Sequence, residues 1–235
     1  MKQSIILLHG LFGRLSNWNA LVQHLNHAHD VHVPLIPIYD DHNGSILDYL
    51  VNWLHLYITC NKLKTVVLVG NSLGGHLAVL YTHRYPSIVK ALVLTGSSGL
   101  YERNAFGTFP KRHSRTFIQS KVESVFYNPA IATSELVDEV FYILKDNKKC
   151  LRIIETARTT QRNYAIKELQ DIKQQALLIW GADDNITPPH VAIEFNRLLV
   201  NASLVYLPQC GHAPMMEKPG EFNKLVEDFL ATLQP

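Results

Sequence analysis

Apolar residues in this chain gather in short continuous runs, separated by longer stretches in which they recur every three or four positions. The runs are SIILL (4–8), VHVPLI (31–36), TVVLV (65–69), KALVLT (90–95), QALLIW (175–180) and SLVYL (203–207). Most do not alternate with polar residues, as a strand with one wet face would. Both faces are therefore buried, the habit of a parallel sheet covered on each side by helices. Brevity and β-branched content separate these runs from buried helices. Helical periodicity fills the intervals 16–28, 45–58, 73–86, 188–200 and 220–233. The third of these stops at Pro86 and the fourth opens on proline, as helix ends and starts do. Strands alternating with helices predict a doubly wound α/β fold.

The alternation lapses between 100 and 171. No buried strand is legible there, only helical patches such as SELVDEVFYILK (134–145) and CLRIIETARTTQRNYA (150–165). The block reads as a helical cap insertion over one edge of the sheet, dividing the α/β core into 1–99 and 172–235. It carries a net charge of about +3, against about −1 for the remainder.

Composition narrows the function classes. With 47% apolar and 18% charged residues the chain is an ordinary globular protein, and a formal charge of +2 without a Lys/Arg run gives no reason to expect nucleic acid. Cys60, Cys150 and Cys210 are far apart, fit neither a disulfide framework nor a metal pattern, and favour a reducing compartment. The first apolar run, Ile5 to Leu8, is shorter than the roughly 7–15 residues of a secretory core or the about 20 of a membrane span. A cytoplasmic protein without a membrane span is the expectation.

The chemistry concentrates in VVLVGNSLGGHLAVLY (66–81), where a strand-like run turns into a helix-like one at Ser72. The order Gly70, Asn71, Ser72, Leu73, Gly74, Gly75 lacks the Gly-Lys-Ser/Thr ending of a phosphate loop and the G-x-G-x-x-G of a dinucleotide site. Against a chance turn stands the context: G-x-S-x-G between a buried strand and a helix is the setting of a nucleophile elbow. The serine must hold a strained backbone so that its oxygen projects from the sheet, and glycines flank it because a Cβ would collide where strand and helix pass closely. A serine needs an imidazole base held by a carboxylate, and in this setting both follow it from loops beyond later strands. GADDNITPP follows QALLIW, and CGHAPMMEKP follows SLVYLPQ. Of the 12 histidines, His212 is the one preceded by glycine at the mouth of the last strand.

Taken in order, LHGLFG (8–13), GNSLGG (70–75), GADDNITP (181–188) and GHAPMMEKP (211–219) resemble the motifs of the α/β-hydrolase superfamily, along the whole chain. The resemblance implies that fold, with about six strands because the antiparallel hairpin that usually precedes SIILLHG is missing. It implies a catalytic set of Ser72, Asp184 and His212, Asp184 holding the fourth position of the Gly-x-x-Asp stretch. Glu102, in the loop after the preceding strand, is the second candidate for the acid. The oxyanion hole takes the backbone N–H of Leu73, the residue after the nucleophile; the resemblance supplies the second from Leu11. It also makes His9 a structural hydrogen-bonder that supports this loop, and Phe12 a pocket wall.

Acyl transfer on small-molecule carboxylic esters is the expected reaction, with no metal or cofactor. The alternatives are a C–C bond hydrolase, a lyase resembling the menaquinone-pathway synthase, or a non-catalytic hydrolase-like receptor. C–C hydrolases commonly place Trp directly after the histidine, where this chain has Ala213. The basic stretch FPKRHSR (109–115) reads either as a solvated face or as a patch, with Arg112 and Arg115 in the substrate pocket, that steers acidic substrates. HLNHAHDVH (24–32) has the spacing of no metal motif and reads as a wet helix end. Oligomeric state carries no signal.

Overall fold

The computed structural model describes residues 2–13, 15–103 and 111–233. The apolar runs become six strands: β1 (Ser4–Leu8), β2 (Asp30–His32), β3 (Val66–Asn71), β4 (Val89–Thr95), β5 (Gln175–Gly181) and β6 (Ala202–Leu207). They form one sheet in the order β2-β1-β3-β4-β5-β6, every neighbouring pair parallel. β3 is buried along its whole length, as its unbroken apolar sequence requires, whereas the edge strands β2 and β6 are partly exposed.

The second strand is shorter than VHVPLI suggests. Pairing with β1 ends at His32, two residues before Pro34, which has no N–H to give a ladder. Farther on, the Ile36 N–H donates to His9 Nε2 at 3.0 Å rather than to a strand.

Helices α1 (Asn19–Leu25), α2 (Ile46–Cys60), α3 (Leu73–Arg84), α8 (Pro189–Leu198) and α10 (Pro219–Thr232) occupy the predicted intervals, with α1 preceded by a 3₁₀ turn at Leu15–Trp18. Between β4 and β5 the described residues hold α4 (Arg115–Glu123), α5 (Ser134–Lys145), α6 (Asn147–Arg162) and α7 (Ile166–Asp171), and no strand. α4, α5 and α6 pack in succession, while α7 lies against α3 and α8. The short α9 (Pro214–Glu217) follows the last strand. Among the described residues no helix is long and apolar enough to cross a membrane.

Loops after β1, β3, β4, β5 and β6 therefore emerge at the carboxyl edge of one sheet, under the inserted helices. In an open parallel sheet that edge is where ligand crevices form.

Candidate active site

Ser72 stands between β3 and α3 with φ 53° and ψ −118°. Such a conformation costs a non-glycine residue on the order of 1–3 kcal/mol and persists only where the surroundings impose it. Here the Ser72 N–H donates to Thr95 O at 3.2 Å, and Ser72 O accepts from Gly75, His76 and Ser98 N–H groups. The glycines answer to close approach: a Cβ on Gly70 would lie 2.5 Å from Gly74 O, and one on Gly74 would run into Leu8 O. Leu73 is the first residue of α3, where a backbone N–H has no intrahelical acceptor.

Asp184 lies three residues beyond β5 and is 2% exposed. Its Oδ1 accepts from the Ile186 and Thr187 N–H groups at 2.8 and 2.9 Å, and its Oδ2 from Thr187 Oγ1 at 2.9 Å. The loop is anchored from below by buried Trp180, whose indole N–H donates to Thr187 O at 2.8 Å. With three donors already in place, the carboxylate presents Oδ2 to His212 Nδ1 at 2.8 Å. That contact assigns the proton to Nδ1 and leaves Nε2 as the free, basic nitrogen.

His212 is 7% exposed. Burial alone lowers its pKa and is the largest single influence. The charge and hydrogen bond of Asp184, helped by the charges of Glu102 and Glu217, outweigh it, and the net shift is upward from 6.5. Two hydrogen bonds fix its backbone. The His212 N–H donates to Val125 O of the insertion at 2.9 Å, and its carbonyl accepts from Asn71 Nδ2 at 3.0 Å. Its ring also passes against Gly96, where an added Cβ would come 2.8 Å from Nδ1. The preceding Gly211 N–H donates to Glu217 Oε1 at 2.8 Å, while Glu217 Oε2 accepts the Tyr127 N–H at 2.8 Å. Glu217 thus ties the histidine loop to the inserted segment. No spacing rule singles it out, although it sits inside GHAPMMEKP.

His9 is buried and does not line the cleft. Its Nδ1 donates to Gly10 O at 2.8 Å and its Nε2 accepts from Ile36, an arrangement that holds the turn before Leu11. Burial lowers its pKa and keeps it neutral, as accepting from Ile36 requires.

One cleft of about 130 Å³ is lined by Leu11, Phe12, Ser72, Leu73 and His212 together. The insertion adds an apolar wall of Val122, Val125, Phe126, Leu136 and Val140. Asp184 stands behind His212, outside the cleft lining. Glu102 lines the cleft but does not take His212 Nδ1, which Asp184 holds.

Arg112 and Arg115, expected at the substrate pocket, are not among the described residues that line this cleft. Arg112 donates to Leu144 O at 3.1 Å and Asn147 Oδ1 at 2.5 Å. Arg115 pairs with Asp138 at 2.5 Å and donates to Ser134 Oγ at 2.7 Å. A basic stretch does not say which carboxylates it will meet, and these meet partners inside the insertion. Phe109 and Pro110 of the same stretch lie outside the described residues. In the histidine-rich segment, His24 pairs with Glu227 and His32 with Asp30; among the described residues no cluster could hold a metal ion.

Comparison with known proteins adds sequence relatives to this geometry. A family model described as the alpha/beta hydrolase fold matches residues 3–219. The monoacylglycerol lipase ABHD6 of Bos taurus is 29% identical over 262 residues, covering 99% of this chain and 76% of that protein. The 2-hydroxy-6-oxononadienedioate/2-hydroxy-6-oxononatrienedioate hydrolase of Escherichia coli (strain K12) is 28% identical, over 81% of this chain and 68% of that one. Among solved structures, MGS-MChE2, an alpha/beta hydrolase enzyme from a lagoon-sediment metagenome of Mar Chica, Morocco, is 34% identical with a TM-score of 0.79, covering 98% and 91% of the two chains. By sequence and by fold, the chain belongs to the α/β-hydrolase family.

Proposed function

We propose that the protein is a serine hydrolase of small-molecule carboxylic esters working through an acyl-enzyme. Ser72 Oγ attacks the ester carbonyl while His212 Nε2 takes its proton. Asp184 holds the imidazole tautomer and stabilises the imidazolium. The Leu11 and Leu73 N–H groups receive the developing oxyanion. Collapse expels the alcohol with the proton from His212, and water, activated by the same imidazole, releases the acid.

The observation that carries this reading is the 2.8 Å contact between Asp184 Oδ2 and His212 Nδ1, made by a histidine that lines the same cleft as a strained Ser72. An apolar wall over that cleft suits an acyl chain. A cytoplasmic setting accords with three cysteines that are all unpaired.

The second reading, C–C bond hydrolysis by the same residues, is favoured by the likeness to the Escherichia coli enzyme. Two measurements decide. A fluorophosphonate is expected to label Ser72, and Ser72→Ala to lose both the label and turnover of p-nitrophenyl esters, by several powers of ten. If the wild-type protein is labelled but cleaves no ester of any chain length, while cleaving a 2-hydroxy-6-oxodienoate, the second reading replaces the first. An active Ser72→Ala variant overturns both.

A further inference from the structure

Among the described residues, Glu102 is the one carboxylate side chain that lines the cleft. It follows β4 and lines the cleft together with Ser98, Thr160 and Gln161. Its Oε1 is buried and has no hydrogen-bond partner. Asp184 already serves His212 Nδ1, so triad chemistry leaves Glu102 without a task. A buried carboxyl oxygen with nothing to bond is costly to keep unless something that visits the cleft satisfies it.

The visitor's chemistry follows from the surroundings. The rest of the wall is largely apolar, which admits a neutral molecule. Burial raises the Glu102 carboxyl above its ordinary range, while Ser98, Thr160 and the charge of His212 oppose this. A hydroxyl suits either protonation state, since it donates to a carboxylate and accepts from a carboxylic acid. A substrate carboxylate suits only the second. Arg103, which also lines the cleft, is the competing feature, because a guanidinium would welcome an anion. It is exposed, however, and so is heavily screened.

We propose that Glu102 is a specificity-determining residue, its unpartnered Oε1 receiving a free hydroxyl of a neutral ester substrate and disfavouring esters that carry a carboxylate. This rests on the ester-hydrolase reading and narrows it to hydroxyl-bearing neutral esters. A hydroxyl on the alcohol portion and one on the acyl portion are distinguished by the test.

The test compares kcat/KM for methyl butyrate with glyceryl monobutyrate (hydroxyls on the alcohol), methyl 3-hydroxybutyrate (hydroxyl on the acyl chain) and monomethyl succinate (anionic). Wild-type enzyme is expected to prefer at least one hydroxylated ester over methyl butyrate by about tenfold or more, and to disfavour the succinate. Which hydroxylated ester wins identifies the portion that faces Glu102. In Glu102→Leu the hydroxyl preference should fall to within about twofold of parity. Glu102→Gln should keep most of it, because an amide both donates and accepts, while relieving the discrimination against succinate. Fluorophosphonate labelling of Ser72 checks that each variant is folded. Should Glu102→Leu not fold, the succinate ratio in Glu102→Gln decides, and an unchanged ratio overturns the proposal. A wild-type enzyme indifferent to hydroxyls, or a preference that survives Glu102→Leu, also overturns it. Methyl butyrate turned over without hydroxyl preference sinks this inference alone; no ester turned over at all sinks the ester reading with it.

Discussion

Two regions meet over the cleft and are held by different means. Around Ser72, Asp184 and His212 the positions are fixed by main-chain groups: Thr95 O on the Ser72 N–H, the Ile186 and Thr187 N–H groups on Asp184, Val125 O on the His212 N–H. The helices between β4 and β5 add side-chain attachments to a few main-chain ones, such as Val125 O on the His212 N–H and the Ala165 N–H on Gly99 O. Lys148 and Arg152 of α6 both reach Asp41 in the loop before α2, at 2.8 and 2.9 Å. Main-chain bonds of the first kind leave few residues free to vary, because glycines, a turn and a short carboxylate must sit at fixed offsets. Charge pairs of the second kind can be moved along a helix by a turn without loss. On the proposed reading, the loops of the sheet set the reaction and the helices between β4 and β5 shape what enters.

The sharpest way to break this division is at the carboxylate behind the histidine. Asp184→Asn keeps the size and an Oδ1 that accepts the Ile186 and Thr187 N–H groups, but can present an N–H to Nδ1, forcing the wrong imidazole tautomer. Turnover is expected to fall by about 10⁴-fold, with Ser72 and the fold intact. The pH profile adds a sign. The proposed mechanism needs a neutral base, so wild-type kcat/KM is expected to fall as pH drops through the raised pKa of His212. Without the Asp184 charge and its hydrogen bond, burial dominates and that pKa drops. The acidic limb of residual activity should therefore move to lower pH. A limb that stays in place would mean that Asp184 does not govern His212.

The join between the two regions is the next place to test. Glu217 accepts Gly211 on one oxygen and Tyr127 on the other, so it fixes the histidine loop against the insertion. In Glu217→Gln, the amide nitrogen must face one of those donors. A loss of about three- to tenfold in kcat, larger than any change in KM, is expected. A purely structural role would lower stability and leave the pH profile alone. Because the Glu217 charge helps to raise His212, a positioning role also moves the acidic limb to lower pH.

The same contrast explains what could be read from the chain before its structure. Continuous apolar runs gave five of the strands nearly to their ends, since a strand buried on both faces has no freedom to be polar. VHVPLI misled because Pro34 and the His9–Ile36 hydrogen bond end pairing early, and neither is an apolar-pattern effect. α5 matches SELVDEVFYILK residue for residue, while α4 was missed: RTFIQSKVE buries only Ile118 and Val122, too few for a period. The loop positions of Ser72, Asp184 and His212 are legible because each follows the end of an apolar run that becomes a strand. Glu217 is not, since a carboxylate that binds two N–H groups across 90 residues has no local spacing. The partners of Arg112 and Arg115 have no local spacing either, since helix packing sets them.

The smallest expected effect is therefore at Arg115, and it sharpens the comparison by being small. The guanidinium is partly exposed, bonds to Asp138 and Ser134, and is not among the described residues lining the cleft. Exposed pairs contribute little because water and salt screen them and two long side chains must be ordered to make them. Arg115→Gln should shift Tm by no more than about 2 °C. The ratio of kcat/KM for neutral and anionic esters should stay within about twofold of wild type, since the charge is spent inside the insertion. A change of preference toward neutral esters in Arg115→Gln would show that the charge of the inserted helices steers substrates after all, and that the insertion selects by long-range field as well as by the shape of its apolar wall.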